Sequence, residues 1–208
     1  MENSFEIRVC QNPSCGLRYP LITGHPFGER CPACLGDTKK VFSRDLFPEM
    51  AELKKTPVTE IHLLLDNIRS AWNVGSIFRT ADCFGVKRIY LCGITPTPEN
   101  PSVKKTALGA VDFIPWSYSR NAVQTVENLL KAAPHVWALE QDHRSVLLEP
   151  IGVVFETPIL LILGNEVTGV DPILLNLCEK IVQIPMLGEK RSLNVEAALS
   201  ACLAVFRS

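Results

Sequence analysis

Residues 159–179 read ILLILGNEVTGVDPILLNLCE: five apolar residues in a row, a loop of small and polar residues, then Asp171 and Pro172 opening a second apolar stretch. A strand with one wet face alternates apolar and polar positions, so the unbroken ILLIL run indicates a strand covered on both faces. Asp171 suits a helix N-cap and Pro172 a first helical turn, which predicts a helix over 172–179. The same alternation continues outward. Apolar strand-length runs fall at 61–65, 88–91, 136–139 and 181–184, with a less regular sixth at 112–116, and amphipathic helices at 74–84 and 121–131. This is the pattern of an α/β protein, a parallel sheet flanked by helices. The last helix, 195–206 (VEAALSACLAVF), is apolar almost all the way round, which calls for burial on every side, by threading inside the fold or by a second subunit.

The chain has 208 residues, 47% hydrophobic and 21% charged, with 21 Lys+Arg against 22 Asp+Glu for a formal net charge of −1. That composition excludes a disordered, collagen-like or supercharged protein, and the length suits one good-sized core with a small appendage. Three segments are expected: residues 1–42 as a cysteine module, 43–59 as a connecting helix and linker in which Phe47, Met50 and Leu53 fall at helical spacing, and 60–208 as the α/β domain. No apolar run approaches the roughly 20 residues of a membrane helix, and MENSFEIRVC has neither the basic start nor the apolar core of a signal peptide. A soluble, cytoplasmic protein is expected. Charge balance gives no global pull toward nucleic acid, so any such binding must come from local patches.

Cys10, Cys15, Cys31 and Cys34 stand in a polar, turn-rich stretch as a Cys-x4-Cys and a Cys-x2-Cys fifteen residues apart. Two such knuckles suit one tetrahedral metal ion, and a module of about 40 residues needs a structural metal in place of a core. Gly16 and Gly36 lie where a side chain would obstruct the turns around the sulfurs. Disulfides are disfavoured in the cytosol, and no βαβ pattern surrounds Cys31 and Cys34 as a redox site would need. A zinc ribbon is the expectation, with His25 as a possible substitute ligand but better read as a turn residue. Cys83, Cys92, Cys178 and Cys202 lie in apolar sequence and read as small core residues.

Ligands of an open parallel sheet bind beyond the carboxyl ends of its strands. Three loops there are rich in small and polar residues: one after the first strand with Asn73 and Arg79, LGNEVTGVDP with Gly164, Asn165, Glu166 and Gly169, and IPMLGEKRSLNVEAAL with Ile184, Met186, Gly188, Ser192 and Asn194. Neither a Gly-x-Gly-x-x-Gly nor a Gly-Lys-Ser/Thr phosphate loop is present. An adenosine-sized ligand held by backbone groups suits such loops.

Taken in order, NVGSIFRTAD at 73–82, LGNEVTG at 163–169, and IPMLG at 184–188 with SLNV at 192–195 resemble the SpoU/TrmH branch of the SPOUT methyltransferases. The resemblance covers the chain from about residue 61 to the end. It implies a SPOUT-type parallel sheet with a C-terminal trefoil knot, methyl transfer from S-adenosylmethionine to a ribose 2′-hydroxyl of tRNA or rRNA, and a homodimer whose site draws on both subunits. A knot is not something periodicity can show. Gly164, Ile184, Met186 and Leu193 would lie along the cofactor. Glu166 would shape the cofactor loop, while Asn73, Arg79, Ser192 and Asn194 gather at the target ribose.

In the mechanism that the resemblance implies, Arg79 takes the hydroxyl proton. A guanidinium of pKa above ~12 is a poor base at neutral pH, so the residue-level alternative is a bidentate phosphate clamp. Each residue also has a plainer reading. Arg79 could pair with Asp82, Glu166 could cap backbone amides, Ser192 could be the N-cap of the last helix, and Gly164 and Gly188 could be simple turn residues. Lys104 and Lys105, in what reads as a long loop over 95–110, suit solvated surface as well as RNA phosphates, and Trp72 reads as a packed helix-entry residue. Val167 and Glu196 depart from the family's pattern, which has glycine and a small residue there. RNA is the expected partner, with no DNA and no membrane. A non-catalytic RNA-binding or ribosome-assembly protein is the alternative function, and base methylation is less in keeping with SLNV.

Overall fold

The structure, a computed structural model, describes residues 4–25, 28–45, 59–132, 134–152 and 155–208. The connecting helix expected around Phe47, Met50 and Leu53 lies outside the described residues. The chain divides into two units, Met1–Lys55 and Thr56–Ser208.

In the first unit, strands β1 (Ser4–Cys10), β2 (Arg18–Ile22) and β3 (Thr38–Asp45) form an antiparallel sheet in the order β2-β1-β3. Its buried described residues are Cys10, Cys31 and the carboxylate of Glu6, not a set of aliphatic side chains. Glu6 is compensated by Arg8 at 2.5 Å and Lys40 at 3.7 Å. Arg8 also donates to Thr38 Oγ1 at 2.8 Å, linking the central strand to β3.

The second unit holds a seven-stranded sheet in the order β6-β5-β4-β9-β7-β10-β8, every pairing parallel. Its strands are β4 (Ile61–Asp66), β5 (Arg88–Cys92), β6 (Trp116–Ser119), β7 (His135–Leu139), β8 (Val146–Leu147), β9 (Ile159–Leu163) and β10 (Lys180–Gln183). Helices α1 (Ala71–Cys83), α2 (Pro101–Ala107), α3 (Ala122–Leu129), α4 (Pro172–Leu177) and α5 (Val195–Phe206) complete it.

Strand β9 is buried at all five positions, as its apolar run predicts. Ile159, Leu161 and Leu163 join one core with residues of α1 and α5, while Leu160 and Ile162 join a second with residues of α3 and α4. The period-two alternation of a strand thus feeds two separate layers. The end of α5 is anchored on the first of them. Trp137 meets Phe206 edge-on at 5.6 Å, and Arg207 donates to the carbonyls of Thr59 at 2.8 Å and Phe84 at 3.2 Å.

Three expectations need correction. The sixth strand does not span 112–116: Ala110–Asp112 is a 3-10 turn and β6 starts at Trp116. Pro115 stands immediately before it, offering its carbonyl to Ile89 N at 3.0 Å but having no N–H for the ladder. The stretch 95–110 is no plain loop, because α2 occupies it with Asn100 as N-cap and Pro101 in its first turn. Finally, Cys83 is exposed and not a core residue, whereas on α5 Leu199, Cys202, Leu203 and Phe206 are buried and Ala197 and Ala204 are left exposed in the single chain, as cover by a second subunit would require.

Leu161 is fully buried at the centre of β9. Leu161→Ala is expected to cost about 2–5 kcal/mol of stability. Urea unfolding followed by intrinsic tryptophan fluorescence checks this, and a change well under 1 kcal/mol would contradict close packing at that position.

Candidate active site

The sheet order reverses between β4 and β9: β5 and β6 extend one way, β7, β10 and β8 the other. A reversal of this kind opens a crevice at the carboxyl ends of the strands. On the β9 side of this reversal the structure has a cavity of 370 Å³, lined by residues that follow β7, β9 and β10 and by the start of α5. Gly164, Glu166, Ile184, Met186, Ser192, Leu193 and Asn194, all singled out from the sequence, line it together.

Glu166 is the tie among the loops. Its carboxylate accepts the N–H groups of Arg69 at 2.8 Å and Ser70 at 3.0 Å, and the side-chain amide of Asn73 at 2.8 Å. Asn73 Oδ1 in turn accepts from Asn194 Nδ2 at 3.0 Å. Asn194 caps α5 by accepting Glu196 N at 2.9 Å and Ala197 N at 3.4 Å, so Asn194, not Ser192, is the N-cap of that helix. The Glu166 carboxyl is held below the usual carboxylate range. Burial opposes this, and the backbone donors together with Asn73 outweigh it.

Gly164 has a structural requirement of its own. A Cβ there would lie 2.2 Å from Val170 N and 2.3 Å from the carbonyl carbon of Gly169, so only glycine admits the folded-back loop. Gly188, by contrast, has open space around it and shows no such need. Four residues not assigned to the site hold the loop. Asn165 accepts Val167 N at 2.9 Å and donates to the Asn67 carbonyl at 2.7 Å, Glu140 accepts Val170 N at 3.0 Å, and buried Asp66 accepts Asp171 N at 3.1 Å. Burial pushes the Asp66 carboxyl up. The available signal was their position, Asp66, Asn67 and Glu140 each standing at the carboxyl end of a central strand.

Arg79 is not brought to this cavity in the single chain. It is exposed and makes no ion pair among the described residues, so the pairing with Asp82 is absent too. Six residues along a helix rotate a side chain to about 120° from its starting direction, which separates Arg79 from Asn73. Trp72 is also not packed: it is 60% exposed. Val167 is exposed at the loop tip, and Glu196 is paired, accepting from Thr80 Oγ1 at 2.6 Å and Ser200 Oγ at 2.8 Å.

In the first unit, the sulfurs of Cys10, Cys15, Cys31 and Cys34 all lie within 4.8 Å of one another, with Cys10–Cys34 at 3.5 Å and Cys15–Cys31 at 3.7 Å. Zinc–sulfur bonds of about 2.3 Å around a tetrahedron put sulfurs roughly 3.8 Å apart, so the donor set fits that ion. A Cβ at Gly36 would lie 3.3 Å from Cys34 Sγ, whereas the left-handed residue of that knuckle is Leu35 and that of the other is Gly16. His25 is not part of the cluster.

Residues 60–204 match the model of the SpoU rRNA Methylase family. The chain belongs to that family. It is similar to the 23S rRNA (guanosine-2′-O-)-methyltransferase RlmB of Coxiella burnetii, 28% identical over 179 residues, or 84% of this chain and 69% of that protein. Among solved structures it resembles the AdoMet-bound rRNA methyltransferase from Sinorhizobium meliloti, with a TM-score of 0.65 and 30% identity over 71% of this chain and 56% of that one. The TrmH/SpoU tRNA modifying enzyme of A. aeolicus is similar at a TM-score of 0.62 and 25% identity, covering 71% of this chain and 74% of that one. The chain thus spans only part of each of these proteins.

Because the Glu166 carboxyl is lower in the folded protein than its unfolded value of about 4.3, its clasp is complete above that pH and is lost as pH falls through the depressed value. Hydrogen exchange at the Arg69 and Ser70 amides reads it directly. Glu166→Gln at neutral pH is expected to speed that exchange about 10-fold, because charge-assisted hydrogen bonds are lost.

Proposed function

We propose that this chain transfers a methyl group from S-adenosylmethionine to a ribose 2′-hydroxyl of ribosomal or transfer RNA. The observation that carries this reading is the hydrogen-bonded line Glu166–Asn73–Asn194, which joins all three family motifs at a cavity of 370 Å³ beyond the switch point. A volume of that order suits an adenosine-sized ligand. Gly164, Ile184, Met186 and Leu193 would hold the cofactor, and Glu166 acts as a positioning residue. When bound, S-adenosylmethionine supplies an electrophilic methyl on a sulfonium.

The chain's own contribution is positioning. Asn73, Ser192 and Asn194 present amides and a hydroxyl for the target ribose, and Arg79 holds the adjoining phosphate or receives the hydroxyl proton. Arg79 is exposed and is not among the residues that line the cavity of its own chain, which supports a homodimer in which one copy's Arg79 serves the other copy's cavity. The open Ala197–Ala204 stripe of α5 supports the same arrangement, as does the apolar composition of that helix. A knotted C-terminal segment is part of this reading, supported by the bond from Gln141 Nε2 to the Arg191 carbonyl at 2.7 Å, which ties the 184–194 loop to the end of β7. The domain limits are read as 1–42, 43–59 and 60–208. Zinc on Cys10, Cys15, Cys31 and Cys34 replaces a core in the first of these. Among the described residues no helix is long and apolar enough to cross a membrane, and RNA substrates of this class put the enzyme in the cytoplasm.

Labelled methyl transfer into total RNA from cells lacking the protein, followed by nucleoside identification, is expected to yield one 2′-O-methylnucleoside. Arg79→Ala should abolish nearly all turnover while cofactor binding persists. A rate that rises through an apparent pKa, absent or displaced in Arg79→Lys, marks a base, and a flat profile marks a clamp. Cofactor binding without transfer would favour a non-catalytic RNA-binding protein.

Elemental analysis of the reduced protein is expected to give one zinc per chain, lost when all four cysteines become serine. Substoichiometric metal would sink the zinc reading.

A further inference from the structure

We propose that Trp72 is a stacking platform for an unpaired RNA base next to the methylated ribose. This deepens the methyltransferase reading and rests on it. Trp72 is the second residue of α1 and precedes Asn73, whose amide is bonded to Glu166 and Asn194 at the cavity. Packing would be the ordinary fate of a tryptophan at a helix entry, yet 60% of it is exposed. Lone exposed apolar residues are common on soluble proteins, so exposure alone assigns nothing. The surroundings of this one do.

The Lys105 ammonium stands 5.9 Å from the centroid of the Trp72 ring. Its helix is held there by a close crossing: a Cβ on Gly75 would lie 1.9 Å from Thr106 Oγ1 and 2.4 Å from the Val103 carbonyl. Only glycine on α1 lets α2 approach so far, and Lys105 immediately precedes Thr106. Backbone packing therefore brings the attachment points of Trp72 and Lys105 together before any ligand arrives. Arg79 lies seven residues beyond Trp72, two helical turns or about 10.5 Å away on the same stripe of α1. Arg69, Lys104, Lys105 and Arg79 are all exposed.

An aromatic face beside cations is the chemistry of single-stranded nucleic acid, because the ring stacks a base of any identity while the cations take the phosphates. A duplex offers no free base face. The occupant is thus a nucleotide in a loop, bulge or end, one position from the ribose at Asn73. Trp72 is not among the residues that line the cofactor cavity, so its loss leaves cofactor affinity intact.

The test uses the full chain and a single-stranded RNA of about 12 nucleotides and mixed sequence, the span that such grooves cover. The strand is expected to quench part of the intrinsic fluorescence of the wild type and none of that part in Trp72→Leu. Trp72→Leu should bind it roughly 10-fold more weakly, Trp72→Phe within about 3-fold of wild type, and the duplex of the same sequence should compete poorly. Lys105→Gln should weaken binding and flatten its salt dependence. The platform is overturned if Trp72→Leu binds as the wild type does, if the strand leaves Trp72 unquenched or unbound, or if Trp72→Leu changes the mass in light scattering, which would make this a contact between copies. Intact stacking with no methyl transfer by the wild type would instead count against the methyltransferase reading alone.

Discussion

A single carboxylate organises the second unit's functional end. Glu166 sits at the tip of the loop that β9 projects, and its partners Arg69, Ser70 and Asn73 lie more than 90 residues earlier in the chain. Arg69 and Ser70 stand just ahead of α1, whose N-terminus carries a partial positive charge, so the carboxylate takes their N–H groups and also faces the favourable end of the helix dipole. Since Asn73 then holds Asn194, the N-cap of α5, the position of the C-terminal helix also depends on that contact. Three loops distant in sequence become one wall because each supplies what another helix end lacks.

The loop reaches Glu166's position through constraints beneath it. Double-sided burial of β9 fixes the strand's height, and Gly164 lets the chain fold back until Asn165 and Gly169 exchange backbone hydrogen bonds of 3.0 and 2.9 Å. Asp66, Asn67 and Glu140 receive or supply the remaining polar groups from the neighbouring strands. Burying Asp66 raises its pKa, a cost accepted because its oxygens satisfy Asp171 N and the Asn67 amide. The first unit solves the opposite problem. With three buried described residues, two of them cysteines, it has too little apolar surface for a core, and its coherence passes to the thiol cluster and to the Glu6–Arg8–Thr38 contacts.

How much of this was legible beforehand follows the range of each interaction. The strands at 61–65 and 159–163 were readable because their burial is written into consecutive apolar residues. The helix at 101–107 was hidden by the prolines of TPTPENP, although Asn100 and Pro101 form a recognisable start signal. The second edge strand, β8, is only two residues long, below the length at which any period can be seen. Their position beyond strand ends, together with the family resemblance, placed Gly164, Glu166 and Asn194 at one site. Their bonding pattern was not legible, since which carboxylate meets which amide is decided by packing across the sheet. The plainer reading of Glu166, a cap on backbone amides, describes what its oxygens do.

Helix α1 has to serve several surfaces at once, and its sequence shows how it does so. Val74, Ile77, Phe78 and Ala81 face the core, Gly75 admits α2, Asn73 bonds Glu166 and Asn194 behind the cavity wall, and Thr80 reaches across to Glu196 and Ser200 on α5. That last contact explains why a carboxylate is tolerated at 196: two hydroxyl donors take one of its oxygens at 2.6 and 2.8 Å, and the side chain is drawn onto α1 instead of being presented to an anionic ligand. What remains for solvent is the stripe bearing Trp72 and Arg79. A helix committed on its other faces cannot rotate to bring Arg79 inward without breaking the Asn73–Glu166 bond and the α2 crossing together. Any substrate phosphate must therefore come to Arg79 where it stands, so a complete site requires either a second chain or an RNA that bends around this edge of the sheet.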